Sequence, residues 1–99
     1  MARFSVYANP DGPGYLMDVQ ANLLTALNTR VVLPLLPSST APKPAQTLNP
    51  VFDIEGTPHV LVTQFMSAVP CSMLKTRVFS AQDRAHEVVA ALDCLFQGV

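Results

Sequence analysis

Over the last twenty residues, Ser80 to Val99, apolar positions recur at Ala85, Val88, Leu92 and Leu95, with Val89 and Phe96 beside them. This 3.6-residue stripe, about four turns long, predicts an amphipathic helix over residues 80–97. His86, Ala90, Asp93 and Gln97 fall on the opposite face. Ser80 is placed to cap the first turn, where Asp83 faces the positive end of the helix dipole. Gly98 has the left-handed freedom that ends a helix, so Gln97-Gly98-Val99 is presented in the open.

Upstream the period shortens to two. Arg3 to Tyr7 alternates, with Phe4 and Val6 on one face, and the turn-rich Asn9-Pro10-Asp11-Gly12-Pro13-Gly14 ends that strand. Tyr15 to Gln20 alternates again, which sends Tyr15, Met17 and Val19 inward and Asp18 and Gln20 outward. Ala21 to Asn28 is ambiguous, since Leu23, Leu24 and Leu27 would suit a helical turn. Arg30 to Leu36 is nearly all apolar, as a strand buried on both faces would be. Pro34 lacks a donor, so that strand should lie at an edge or bend there. Pro37 to Pro50, with four prolines, reads as an extended loop facing solvent. Val51–Ile54 and His59–Met66 read as a hairpin turning at Glu55-Gly56-Thr57-Pro58, and Cys71–Phe79 as a last strand. The expected fold is mainly β (α+β): strands within residues 1–79 closing a small antiparallel barrel or sandwich, then the helix.

The chain of 99 residues is long enough for one domain, residues 1–99. Charged residues are 13% and hydrophobic ones 49%, where about a quarter of a typical domain is charged. So little charge predicts an apolar surface that a homodimer would cover. The net charge is −1, and Arg3, Arg30, Lys43, Lys75, Arg77 and Arg84 are scattered, which leaves no footprint for direct nucleic-acid binding. Arg3 and Asp11 interrupt any apolar leader, and prolines break the longest uncharged stretch, so neither a signal peptide nor a membrane span is expected. A soluble, cytoplasmic protein follows, with Cys71 and Cys94 as free thiols. Metal-binding Cys/His spacing is missing, and no cofactor is expected.

Acid–base candidates are His59, His86, Asp18, Asp53, Asp83, Glu87 and Asp93. His59 reads as an exposed edge histidine, His86 and the helix acids as surface charges, and Asp18 and Asp53 as outward strand residues. Ser67, Ser72, Thr63 and Cys71 have no histidine near them in sequence to form a nucleophile–base pair. Gly12 and Gly14 are hairpin glycines rather than a phosphate loop. No enzyme is expected.

Five segments arrive in order: Phe4-Ser5-Val6-Tyr7, Leu16-Met17-Asp18-Val19-Gln20, Arg30-Val31-Val32-Leu33-Pro34-Leu35, Asn49-Pro50-Val51 and Met66-Ser67-Ala68-Val69-Pro70. With a helix ending Phe96-x-Gly98-Val99, the chain resembles the CcdB family of toxin–antitoxin systems, the DNA gyrase poisons. The resemblance implies an SH3-like barrel with a C-terminal helix, a homodimer, no enzymatic activity and a role in plasmid maintenance. It also implies binding to the GyrA subunit of DNA gyrase on cleaved DNA, which traps the break, and neutralisation by a cognate antitoxin that folds as it binds.

Family members typically finish Trp-Gly-Ile, and here the matching residues are Gln97, Gly98 and Val99. The gyrase-binding set carried over is Gln97, Gly98, Val99, Asp93, Leu23 and Leu24; the two leucines could equally serve packing. Arg84 matches a family arginine or is a solvent-facing charge. Residues 8–14 and 37–49 correspond to regions near the antitoxin site, which singles out Asn9, Asp11, Lys43 and Gln46. Pro34, Ser67 and Pro70 read as structural. Gln97 offers no ring to an arginine, a contact worth about 0.5–2 kcal/mol. A relative that keeps the antitoxin surface but has lost or retargeted gyrase poisoning is therefore the alternative. An endoribonuclease toxin on the same barrel is a third, less favoured reading, because it needs a basic groove.

Overall fold

The computed structural model describes residues 2–99. Seven short strands form one antiparallel sheet: β1 (Ser5–Ala8), β2 (Tyr15–Asp18), β3 (Thr29–Pro37), β4 (Val51–Ile54), β5 (Thr57–Leu61), β6 (Ser67–Pro70) and β7 (Arg77–Ser80). Their spatial order is β4-β5-β3-β2-β1-β7, with β6 also on β3. The sheet curls into a half-barrel, and helix α1 (Ala85–Gln97) follows it. This is the mainly β barrel with a terminal helix that the alternating pattern predicts.

One face of the sheet holds the main core. Phe4, Val6, Met17, Val19, Leu33, Leu35, Phe52, Ile54 and Leu61 pack there, and α1 closes it with Val88 and the half-buried Ala85 and Leu92. Burial of such side chains contributes about 1.5–3 kcal/mol each. Tyr7, Leu16 and Val32 face the other way and are covered by Leu74 and Val69, from the segment that follows β5. Asp18 and Gln20 are consequently buried, not outward as alternation implies. A period-two pattern gives the opposite face but not whether that face is wet, and here a later segment folds over it.

Pro34 sits in the most connected strand, not at an edge. Residues 29–32 of β3 pair with β6 and residues 35–37 with β5. Between them the Pro34 carbonyl accepts the Val62 N–H at 2.9 Å. A strand residue turns its N–H and C=O to the same side, so the missing donor falls where β3 changes partners.

Three boundaries differ from the pattern. β6 does not stand apart from its neighbours in the sequence, because Ser-Ala-Val-Pro shows no alternation and three of its four residues are exposed. Residues 63–65 and 71–73 are 3₁₀ turns, so β5 ends at Leu61 and the last strand begins at Arg77. The helix begins at Ala85, not Ser80. Ser80 is still paired with Ser5 in β7, and the Ala81 N–H is held by the Phe4 carbonyl at 2.8 Å. The chain then turns through a 3₁₀ segment, Gln82–Arg84, whose first N–H the Ser80 hydroxyl accepts at 3.2 Å. Gly98, at φ 72° and ψ 26°, does end the helix, donating to the Cys94 carbonyl.

The β4–β5 hairpin closes through two residues, Glu55 and Gly56, both at positive φ, which is the turn type whose twist matches a β-hairpin. The 38–50 loop leaves β3 and returns through Asn49. That buried side chain donates to the Leu61 carbonyl at 3.0 Å and accepts the Ala45 N–H at 3.0 Å.

Candidate functional site

The core contacts of α1 end at Leu92, and the helix continues for more than a turn beyond it. Phe96 is therefore 67% exposed, Gln97 and Gly98 are open, and Val99 is 78% exposed. The stripe puts Phe96 and Val89 beside the buried face. Both are exposed: Phe96 because the stripe continues past the end of the surface it covers, Val89 because it lies at the flank of the buried face between Val88 and Leu92. Asp93 is half-buried, one turn behind the tip. Phe96 is absent from the binding set that the resemblance implies, and its one signal is position, a turn beyond the last core contact.

Leu23 and Leu24 lie in a single 3₁₀ turn, Asn22–Leu24, within a loop exposed from Ala21 through Thr29. Leu23 is 91% exposed, and Leu24 and Leu27 remain about half open. Packing does not occupy them in the protomer. Beneath the loop lies a buried polar cluster. Asp18 Oδ2 accepts from Arg30 Nε at 2.8 Å and pairs with Arg30 Nη2 at 2.7 Å, while Oδ1 accepts the Gln20 N–H at 3.0 Å. Both charged side chains are essentially sealed from solvent. A pair this deep is stabilising only when its remaining hydrogen-bonding groups are satisfied, and Arg30 Nη2 also lies 3.4 Å from the Gln20 carbonyl.

The antitoxin candidates lie at the other end of the β2–β3 pair. Tyr15 pairs with Leu35, so the 9–14 turn and the start of the 38–50 loop leave from neighbouring strand ends. Asn9 is half-buried, and its Oδ1 accepts the Asp11 N–H at 3.0 Å, which makes it a turn-forming residue. Asp11 is exposed, on a cleft of ≈ 370 Å³ shared with Pro10, Ser72 and Lys75. Lys43 and Gln46 are exposed on the long loop. A groove of ≈ 300 Å³ separates the end of that loop, at Thr47 and Pro50, from His86, Glu87 and Ala90 on α1.

Arg84 joins the helix to the sheet. Its Nε and Nη2 donate to the two Glu87 carboxylate oxygens at 2.6 and 2.9 Å, and its Nη1 donates to the Val51 carbonyl. The guanidinium lies 3.9 Å over the Phe52 ring. The hydrogen bond from Arg84 holds the Glu87 carboxyl below its ordinary range, and the same bond raises Arg84. Arg84 is thus tied to Glu87, Val51 and Phe52 within the protomer, while more than a third of its side chain stays open to solvent.

His59 is buried, contrary to its reading as an exposed edge residue. Its Nδ1 lies 2.8 Å from the Thr57 carbonyl, and its ring meets Tyr15 edge-on at 5.1 Å. A position next to a turn says nothing of the neighbouring strand that covers it. His86 and Asp53 are exposed as expected, and Cys71 and Cys94 are both free. Among the described residues no group of three His, Cys, Asp or Glu is placed to hold a metal ion. Nor, among them, is any helix long and apolar enough to cross a membrane.

No curated protein is similar enough to the chain to count as a match. The family model described as CcdB protein matches residues 3–98. That span takes in every strand, the leucine-bearing loop and all of α1. The chain therefore belongs to the CcdB family, the toxins of toxin–antitoxin modules.

Proposed function

We propose that this toxin acts by binding the GyrA subunit of DNA gyrase while the enzyme holds cleaved DNA, so that religation fails and a double-strand break persists. The observation that carries the reading is the tip of α1. Phe96, Gln97, Gly98 and Val99 extend past the core at the end of α1, with Phe96 and Val99 exposed and no charged side chain among the four. Leu23 and Leu24 supply a second apolar contact, and Asp93 a polar one behind the tip. The protein works as a homodimer in the cytoplasm. Apolar side chains left open away from those contacts, Val51, Phe65 and Val78, in a domain with 13% charged residues support the dimer. No bond is made or broken by the toxin itself, and no cofactor is required. The cognate antitoxin neutralises it by folding onto the surface around Asn9, Asp11, Lys43 and Gln46.

Purified protein incubated with gyrase, ATP and supercoiled plasmid, then denatured, should release linear DNA. Absence of linear product with gyrase from the native host overturns the reading. Gln97 favours a second reading, in which the chain keeps the antitoxin surface but has lost or retargeted the poison. An interface tryptophan buries about 150–250 Å² of largely apolar ring, and a glutamine has a smaller, polar side chain with no ring. Cleavage of RNA by the purified protein would instead favour a nuclease.

A further inference from the structure

The loop from Ala21 to Asn28 presents three leucines to solvent, yet none of its residues is buried. An apolar loop without a core of its own must take its shape from polar anchors. The central anchor is Gln20. Its Oε1 accepts the Val31 N–H at 3.1 Å, and its Nε2 donates to the Thr29 carbonyl at 3.1 Å and to the Leu24 carbonyl at 3.3 Å. The side-chain amide thus continues the β2–β3 ladder for one step past the last backbone bond, from Val19 to Val31, and ties it to the loop. Gln20 is itself held through the Asp18–Arg30 pair, which fixes its N–H and contacts its carbonyl. Two outer anchors assist. Asn22 Oδ1 accepts the Arg3 N–H at 2.8 Å, and the Cys71 N–H donates to the Asn28 carbonyl at 2.9 Å.

We propose that Gln20 is a positioning residue for partner recognition: its buried amide holds the 21–28 loop in the conformation that presents Leu23 and Leu24 to gyrase. The role rests on the gyrase reading above. A loop released from this anchor would sample other shapes, and its apparent affinity would fall in proportion to the competent fraction. Loss of two hydrogen bonds of ordinary strength corresponds to about tenfold or more.

The test measures affinity for purified GyrA, together with amide hydrogen exchange in the full chain. Gln20→Glu retains the acceptor for Val31 but loses both donors. Asn22→Ala loosens the same loop from its exposed side, leaving the core untouched. Both variants should bind more weakly, the first by about tenfold, and exchange faster at the Leu24 and Leu27 amides, which the loop's own turns now hold. In a chain already carrying Leu23→Ala and Leu24→Ala, Gln20→Glu should cost less than about twofold, because its effect runs through those side chains. Unchanged exchange at those amides, or a full penalty in the leucine-free background, overturns the proposal. No binding by the wild-type chain overturns the gyrase reading and the role with it. The exchange data still report whether Gln20 holds the loop, so the two failures are told apart.

Discussion

Replacing Gly98 by glutamate should abolish gyrase poisoning while leaving the protein folded. Gly98 is in the left-handed region at φ 72°, and a Cβ added there would meet no atom within 4 Å. The substitution therefore brings no clash. It costs the left-handed strain of an L-residue, about 1–2 kcal/mol, and places a carboxylate at the negative end of the helix dipole, about 0.3–1 kcal/mol more. The chain can escape that cost by fraying its last two residues. Fraying forfeits one backbone hydrogen bond, from the Gly98 N–H to the Cys94 carbonyl at 3.1 Å, worth about 1 kcal/mol. The loss of stability is thereby capped near that value, a fall in Tm of about 4–8 °C. At the interface the cost is larger, since burying an unpaired carboxylate takes several kcal/mol, more than about a hundredfold in affinity. Gly98→Ala separates the two effects because it carries the strain without the charge, and it should retain poisoning within about tenfold. Plasmid linearisation by gyrase, titrated with toxin and read beside thermal unfolding, measures both. A Gly98→Glu protein that melts near wild type and linearises plasmid at wild-type concentration would refute the claim that the helix tip is the contact.

Removing one member of the buried Asp18–Arg30 pair, as in Arg30→Met, should cost about 3–5 kcal/mol, and adding Asp18→Asn should recover part of it; an unfolding free energy from urea titration within about 1 kcal/mol of wild type would contradict the burial argument. Gly14 and Gly56 both have positive φ, but only at Gly14 would a Cβ press into the Leu35 carbonyl. Gly14→Ala should therefore destabilise by more than about 2 kcal/mol and Gly56→Ala by about 1, and equal costs in calorimetry would discount the steric part. Because Arg84 lowers the folded-state pKa of Glu87 below the ordinary 4.5, the pair contributes stability above that value and loses it as pH falls through the depressed one. Both side chains are more than a third exposed, so the effect is small and screened by salt. Glu87→Gln should lower stability slightly at neutral pH and converge with wild type as pH falls through the depressed value, and a difference that appears only at acid pH would contradict the assignment.

Local pattern alone determined the main elements. Alternation placed Val6, Met17 and Val19 in one core, turn residues placed the reversals at 9–14 and within 55–58, where the structure closes the turn in Glu55 and Gly56 alone, and the 3.6-residue stripe ending at Gly98 placed the helix. These are properties of neighbouring residues and so are legible without a fold. Only the tertiary structure decided what covers the second face of the sheet. That is why Asp18, Gln20 and His59, polar residues on apparently wet positions, are buried, and why Pro34 lies in the most connected strand. It also decided where α1 outruns the core, which exposes Phe96 although its spacing matches the buried stripe. Each of these depends on a segment distant in sequence, β6 with the turn after it, β5, or the edge of the core, and short-range periodicity carries no information about such partners.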